Sequence, residues 1–297
     1  MKSQNPSDKT TVRNLTIFII LVLASGWIGW GLDRLMGNPS VDSLGMLVWI
    51  TTPLIVSLLL RTFAGDGWKD FGIKPNFKGN WIWYPFSILV FPVVTALVVL
   101  VGSAFGWIRF PNFAANTPTL ILQSFAVALL PQFIKNFFEE VPWRGYLAPK
   151  VYSLGINDYV GHTIVGLVWG AWHIPYYLFF LSRATLADFS TLNVWAYILL
   201  AIWILISWAF VYGEIRLLTN SFWPAVLMHA VEDAFIGVVI AESFILMRPG
   251  TDWLISPMNG LIMSAFFILI GVGLNRIRKS RMMDASKQNM KTVADVA

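Results

Sequence analysis

The chain has 297 residues, of which 57% are hydrophobic and only 12% are charged. A soluble domain of this length carries about twice that share of charged residues, so the composition excludes a typical soluble enzyme and indicates a membrane protein. The chain contains no cysteine, which excludes disulfides, thiolate metal sites and cysteine nucleophiles.

Apolar segments follow one another along the chain, and each is long enough to cross a bilayer. A membrane-spanning helix needs about 20 apolar residues for roughly 30 Å of hydrocarbon, and runs this long and apolar are helices rather than barrel strands. We therefore predict an all-α polytopic membrane protein, a bundle of about eight transmembrane helices with a buried polar site. The predicted spans are residues 14–36, 42–62, 80–105, 118–153, 158–180, 192–213, 221–247 and 255–279.

The distribution of lysine and arginine predicts the orientation of these spans. Of the 21 basic residues, Lys135 and Arg144 lie well inside the fourth span. Only Arg34, Arg109, Arg183 and Arg248 lie on one side, and the remaining 15, among them Lys150 near the end of the fourth span, lie on the other. Positive charge marks the cytoplasmic side, so we expect both termini in the cytoplasm, in a prokaryotic plasma membrane. The net charge of +5 then reflects topology and anionic lipid headgroups and implies no nucleic-acid partner.

The chain reads as one membrane domain with polar ends. We expect a cytoplasmic N-terminal tail at 1–13, an integral membrane domain at 14–279 and a disordered cytoplasmic tail at 280–297, because the last segment is polar. The motif-bearing core is expected at 118–247.

Ionisable residues inside the apolar segments are the candidates for function. Each costs roughly 2.5–3.5 kcal/mol at the centre of a span on insertion scales, so their presence points to chemistry or transport. Three spans carry them, at Glu139, Glu140, Arg144, His173, His229 and Asp233. We expect these groups to form one site.

Helical spacing predicts which of these groups are neighbours. Glu140 and Arg144 are four residues apart and share a face, where they can pair, whereas Glu139 is rotated by about 100° and can face another partner. His229 and Asp233 also share a face, so the carboxylate can fix the imidazole tautomer or share a ligand with it.

The fourth helix must continue through Pro142 for Glu139 to reach the depth of His173. His173 lies roughly 22 Å beyond Asp158, at about 1.5 Å per residue. A proline inside a helix kinks it and frees a carbonyl, which can open a water-accessible pocket. We expect Glu139, His173 and His229 to converge on a cavity that opens toward the cytoplasm or laterally to lipid.

The three motifs stand in a fixed order, as Glu139-Glu140-x-x-x-Arg144, Trp169-x-x-x-His173 and His229-x-x-x-Asp233. This pattern resembles that of the CAAX prenyl protease and bacteriocin-processing family, also called the Abi family, which includes the type II CAAX endopeptidases. The resemblance covers residues 118–240. Two positions depart from the family's pattern, since Trp169 replaces a usual Phe and Asp233 replaces a usual Asn.

The resemblance implies an eight-helix intramembrane endopeptidase. Its substrate would be a membrane-associated peptide or lipidated protein, such as a prenylated CAAX tail or a bacteriocin leader. Glu139 would be the base that activates water, assisted by His173, and a buried carboxylate suits that role. His229 and Asp233 would bind the oxyanion, and Arg144 would hold the glutamate pair in place.

Glu140, Arg144 and Trp169 are expected to support the site. We favour a mechanism without a metal or other cofactor, because the sequence lacks a His-Glu-x-x-His motif. A zinc site stays open, since three such donors and a water often hold catalytic zinc. Its ligands would be Glu139, His173, His229 and Asp233.

Two other functions would use the same residues. Buried acids and histidines form proton relays in transporters, and a bacteriocin-immunity protein could keep the pocket without hydrolysis. The single dense site and the lack of repeat symmetry favour the peptidase over a transporter. The remaining histidine, His162, is expected at the membrane interface, and Lys135 is expected to pair with an acid or to extend to the interface.

Overall fold

The computed structural model describes residues 6–37, 42–111, 114, 116–241 and 244–294. Two π-helical turns, Trp143–Leu147 and Tyr176–Phe180, follow α4 and α6, and the strands β1 (Ile108–Arg109) and β2 (Leu246–Met247) pair antiparallel. The α-helices are α1 (Pro6–Met36), α2 (Leu44–Phe63), α3 (Trp83–Ala104), α4 (Thr117–Pro142), α5 (Ala148–Tyr152), α6 (Asp158–Trp172), α7 (Arg183–Phe189), α8 (Val194–Thr219), α9 (Trp223–Ala241), α10 (Asp252–Ile255) and α11 (Leu261–Ala294).

Within the described residues, eight helices are long and apolar enough to cross a membrane, which confirms the predicted fold class. The second to fifth lie within three residues of their predicted bounds. The fourth runs over Thr117–Tyr152, so it continues through Pro142 as the depth of Glu139 required. The proline lacks an N–H, and the chain responds with the π-turn Trp143–Leu147 directly after it.

Both terminal helices are longer than predicted. α1 begins at Pro6, inside the expected tail, and α11 continues to Ala294. Where a disordered tail was expected, the structure continues α11 over residues 280–294. Residues 1–5 and 295–297 lie outside the described part. The end of α11 contains no glycine or proline, and its lysine, methionine, alanine and glutamine residues have good helix propensity.

The segment between α9 and α11 contains less helix than predicted. α9 ends at Ala241, and β2 occupies positions that were assigned to the seventh span. Asp252 then tethers the segment, because its Oδ2 accepts hydrogen bonds from the Ser190 hydroxyl at 2.5 Å and the Thr191 N–H at 2.9 Å. This tether holds the segment in place, and Asn259, near the end of the segment, lines the cavity that is described below.

Successive spans alternate in direction, so the connecting segments fall into two groups. The end that carries most of the lysine and arginine residues, which we call the basic end, has segments 64–82, 153–157 and 220–222. The opposite end, which we call the distal end, has segments 181–193 and 244–260. Contacts agree with this grouping, since Asp252 binds residues of the 181–193 segment at the distal end.

α1 and α2 pack closest at Gly29 and Gly45. A Cβ atom on Gly29 would lie 2.2 Å from the Gly45 carbonyl oxygen, so only glycine allows this approach, as is common between membrane helices. The packing orients α2 toward α6, where Trp49 Nε1 donates a hydrogen bond of 2.9 Å to the carbonyl of Trp172. Trp49 thereby forms part of the wall of the site.

Candidate active site

Side chains from α2, α4, α6, α8 and α9 line an internal cavity of about 340 Å³. Glu139, His173, His229 and Asp233 all line it, as does Trp169. The three sequence motifs therefore meet at one cavity. Aromatic rings form much of the remaining wall, at Trp49, Tyr176, Tyr177, Tyr197 and Trp208.

The cavity extends from Glu139 toward the distal end. Its lining includes Met46 in the first turn of α2, Tyr197 in the first turn of α8, and Asn259 just before α11. The cavity thus extends away from the basic end, where the sequence had predicted a cavity that opens toward the cytoplasm or laterally to lipid.

Trp169 contacts side chains of all three motifs. Its indole Nε1 donates to Glu139 Oε1 over 3.1 Å. Its ring centroid lies 5.6 Å from that of His229 and 6.3 Å from that of His173. Because Trp169 is only 1% exposed, the indole is held by packing and fixes the acid relative to both imidazoles.

His229 is oriented by Glu140, which belongs to a different motif. The His229 Nδ1 lies 2.8 Å from Glu140 Oε1, so Nδ1–H donates to the carboxylate and Nε2 is the ring nitrogen left for chemistry. The sequence had suggested Asp233 for fixing this tautomer. Across the helix pair α4–α9, Glu140 takes that role instead.

Arg144 neutralises Glu140, as the spacing predicted. Its Nη1 donates to Glu140 Oε1 over 3.0 Å, and its guanidinium lies over the rings of Trp169 and Tyr212, at 4.1 Å from each centroid. Cation–π contacts of this kind are worth up to about 2 kcal/mol when desolvated. Arg144 thus links the buried carboxylate to the tryptophan that holds Glu139.

His173 is oriented by the backbone of its own helix. Its Nδ1 lies 2.8 Å from the carbonyl oxygen of Trp169, which requires Nδ1–H as the donor and leaves Nε2 as an acceptor. The ring packs against Trp172 and Tyr177, with centroids 4.7 and 6.0 Å away. An imidazole with a free Nε2 acceptor at a cavity wall can bind or deprotonate water.

Asp233 makes an ion pair with Lys135, the partner that the sequence left unnamed. Its Oδ2 accepts from Lys135 Nζ at 2.8 Å and from Asn136 Nδ2 at 2.7 Å. Both donors come from α4, so the pair fastens α9 to the helix that carries Glu139. This arrangement makes Asp233 a charged partner of Lys135 rather than an orienting group for His229.

Glu232 is a cavity residue that the sequence reasoning missed. It lines the cavity and is only 5% exposed. Its carboxylate, the His229 imidazole and the Asp233 carboxylate each place a ligand atom within 4.8 Å of the others. The signal was present in the sequence, because an acid inside an apolar span carries the same cost as its neighbours.

The geometry changes the expected metal set. Among the described residues, the donors grouped closely enough to hold an ion are His229, Glu232 and Asp233, without Glu139 or His173. Tetrahedral zinc at about 2.1 Å from its ligands needs donor atoms about 3.4 Å apart, whereas these three ligand atoms lie within 4.8 Å of one another. Lys135 already occupies Asp233 Oδ2, so a metal there would have to displace an ammonium group. Zinc bound by these three would polarise a carbonyl or a water.

His162, which was expected at the membrane interface, lies near the start of α6 and is fully buried within the protein. Its Nδ1 lies 2.9 Å from the Tyr152 hydroxyl and its Nε2 lies 2.8 Å from Glu214 Oε1. Arg278 completes the network through a 2.7 Å bond from Nε to Glu214 Oε2. The network joins α5, α6, α8 and α11 and contributes no residue to the cavity.

The fold and the site define a multi-pass integral membrane protein with an acid–histidine centre enclosed among its helices. A model of the family described as type II CAAX prenyl endopeptidase Rce1-like matches residues 118–235. The match confirms the family resemblance carried by the three motifs, and it supports a hydrolase of the CAAX protease type. A search of curated protein sequences finds no match to the chain.

Proposed function

We propose that this protein is an intramembrane endopeptidase in which Glu139 activates water for attack on a peptide bond. The observation that carries the proposal is the position of Trp169, whose indole contacts Glu139, His173 and His229 in one cavity. A base, a second water ligand and an oxyanion donor are the groups that metal-free peptide hydrolysis needs.

Glu139 and His173 would bind and deprotonate the water. Within the described residues, Trp169 is the hydrogen-bond donor to Glu139 and engages its Oε1, so Oε2 can accept the proton of water. The Nε2 of His173 accepts the other water hydrogen. As water attacks the scissile carbonyl, Glu139 takes the proton and then delivers it to the leaving amine when the C–N bond breaks.

His229 would stabilise the oxyanion. With Nδ1–H bonded to Glu140, the doubly protonated imidazolium presents Nε2–H as a donor, and the buried carboxylate stabilises its positive charge. A donor of this kind is commonly worth about 10²–10³ in rate. Asp233 would not itself donate to the oxyanion, and its ion pair with Lys135 would weaken the repulsion between its carboxylate and the developing negative charge.

We propose further that the substrate is a membrane-associated peptide or lipidated protein and that the chain lies with both termini in the cytoplasm. The family description names prenyl endopeptidases, and the aromatic wall of the cavity suits an apolar segment beside the scissile bond. The excess of lysine and arginine at the basic end supports the orientation.

The test is hydrolysis by the purified, reconstituted full-length protein. A farnesylated CAAX-type peptide, its unprenylated form and an apolar bacteriocin-leader peptide are incubated separately, and products are identified by mass. We expect the wild type to cleave at least one of them and Glu139→Ala to cleave none. Asp188→Ala removes an exposed acid on α7 and serves as the matched control.

Equal turnover by wild type and Glu139→Ala would overturn the proposal. Cleavage of none of the three peptides by folded wild type would favour the immunity or transport alternatives instead.

A further inference from the structure

The π-turn Trp143–Leu147 leaves backbone carbonyls that two buried arginines satisfy. Arg216 Nε donates to the carbonyl of Arg144 over 2.9 Å, and Arg61 Nη2 donates to the carbonyl of Gly145. An unsatisfied carbonyl is costly when it is buried, and residues 143–147 are all buried, so these two contacts stabilise the turn. Arg61 is 2% exposed and Arg216 is 4% exposed. We call this pair the arginine clamp.

The same two arginines hold residues 64–72, which begin the connection from α2 to α3 and which we call the strap. Arg61 Nη1 donates to the Gly67 carbonyl at 2.5 Å and to Asp70 Oδ1 at 2.7 Å. Arg216 Nη2 donates to the Asp70 carbonyl at 2.6 Å. Each guanidinium therefore bridges the strap to the π-turn.

The strap also touches the π-turn and the clamp directly. Tyr146 donates its hydroxyl to Asp66 Oδ2 over 2.7 Å, and a Cβ on Gly145 would lie 3.0 Å from the ring of Phe71. Gly72 has φ of +80°, and a Cβ there would lie 2.7 Å from Arg216 Nη2. Glycine is thus required at position 72 by both backbone conformation and space.

We propose that Arg61 and Arg216 are positioning residues, which fix the register of the π-turn and thereby the orientation of the catalytic groups in the cavity. The strap is then the part of the protein through which this register can be changed. This inference rests on the proposed peptidase function. Neither arginine lines the cavity, so neither acts on the substrate.

The link to the cavity passes through Arg144. Arg144 lies on the π-turn, and its side chain holds Glu140 and stacks on Trp169. Without the two guanidinium donors, the buried carbonyls of Arg144 and Gly145 would lose their partners, and the backbone that carries the Arg144 side chain would shift to satisfy them. Such a shift would weaken the contacts of Arg144 with Glu140 and Trp169 and loosen the hold of Trp169 on Glu139.

Lysine cannot replace either arginine in this role. Arg216 alone serves three acceptors, through Nε to Arg144, Nη2 to Asp70 and Nη1 to Asn220 Oδ1 at 2.9 Å. These acceptors match the fork of a guanidinium, and an ammonium group offers no equivalent geometry. Arg216→Lys should therefore behave like Arg216→Gln rather than like the wild type.

Hydrogen exchange tests the clamp without reference to activity. Arg61→Gln, Arg216→Gln and Arg216→Lys are compared with Arg278→Gln in the reconstituted full-length protein. Arg278 is a matched control, because it is a partly buried basic-end arginine, with 12% of its side chain exposed, in an ion-pair network with Glu214 and Asp158, but does not contact the π-turn. We expect faster amide exchange in residues 143–148 and in the strap for the three clamp variants alone. Unchanged exchange at 143–148 in the clamp variants would overturn the proposal.

Kinetics test the positioning role on whichever peptide the wild type cleaves. We expect the clamp variants to lose about 10- to 100-fold in kcat, as small misplacements of catalytic groups do, with KM within about threefold. Arg278→Gln should keep its kcat even where its Tm falls equally. Activity lost only in proportion to folded protein, for both sets of variants, would show a structural role and overturn the inference.

Failure of the proposed function would be recognised separately. If Glu139→Ala is as active as wild type, the peptidase assignment is wrong, while the exchange result still decides whether the clamp holds the π-turn. If Glu139→Ala is inactive and the clamp variants retain full kcat, only the positioning inference is wrong.

Discussion

His229 and Glu140, from helices α9 and α4, share a hydrogen bond of 2.8 Å between Nδ1 and Oε1. The same carboxylate oxygen accepts from Arg144 at 3.0 Å, so one atom of Glu140 joins two motifs. This makes the second glutamate of the pair an orienting group and leaves the first, Glu139, facing the cavity for chemistry.

Substitution of Glu140 should therefore affect both fold and catalysis. Glu140→Ala removes the partner of a buried arginine, which commonly costs about 3–5 kcal/mol. Glu140→Gln keeps an acceptor but removes the charge that stabilises the His229 imidazolium. We expect Glu140→Gln to fold and to lose about 100-fold or more in kcat, by comparison with the orienting acid of other triads. Steady-state kinetics and thermal unfolding check this, and a normal kcat in Glu140→Gln would assign the residue to structure alone.

Replacing Trp169 with phenylalanine should separate its two roles. The ring that stacks on Arg144 remains, while the indole N–H that donates to Glu139 is lost. We expect a stability loss of about 1 kcal/mol, the usual net value of one hydrogen bond, and a lower kcat, because Glu139 loses the donor that orients it.

Trp169→Ala is the contrasting variant. Loss of a buried aromatic ring commonly costs about 3–5 kcal/mol, and the cation–π contact is lost with it. Chemical unfolding in detergent measures both values. Equal stability of the Phe and Ala variants would show that the ring does not pack as described.

Asp233 separates the two mechanisms for the site. If hydrolysis is metal-free, Asp233→Asn removes a negative charge near the oxyanion and should retain or raise activity. If His229, Glu232 and Asp233 hold a zinc ion, the amide is a poorer ligand, and the variant should lose activity. We expect the first outcome, with no inhibition of the wild type by a chelator. Chelator-sensitive activity that zinc restores, and that Asp233→Asn lacks, would establish the metal mechanism.

Asp70 in the strap gives a prediction for pH. Burial disfavours its charge, but the hydrogen bond and charge of Arg61, together with Lys150, outweigh burial and lower the pKa of this carboxyl below its ordinary 3.8. The ion pairs of Asp70 thus add stability above pH 3.8, and this contribution is lost as the pH falls through the lowered pKa.

The Tm of Asp70→Asn should consequently lie below that of the wild type at neutral pH, and the difference should shrink once the pH falls below about 4. The exposed Asp188→Asn variant provides the comparison, measured by thermal unfolding from pH 7 downward. A difference in Tm that stays constant into strong acid would contradict a carboxylate ion pair at Asp70.

Sequence predicted the spans well because hydrocarbon imposes a length and a polarity on every segment. The structure differs from the predicted elements in segments outside the hydrocarbon, where the membrane imposes no length or polarity. Residues 280–294 are polar, yet they continue α11, and residues 244–247 are apolar, yet they lie beyond the end of α9 and include β2.

The sequence by itself predicted that Glu139, His173, His229 and Asp233 lie together, because ionisable groups in apolar spans are costly unless they find partners, and the four residues line one cavity. Only the tertiary structure decided which groups pair, namely Glu140 with His229 and Asp233 with Lys135. Spacing along a helix predicts neighbours on the same helix, whereas these pairs cross between α4 and α9. Their distances depend on how two helices pack, and a pattern of residues along one chain does not contain that information.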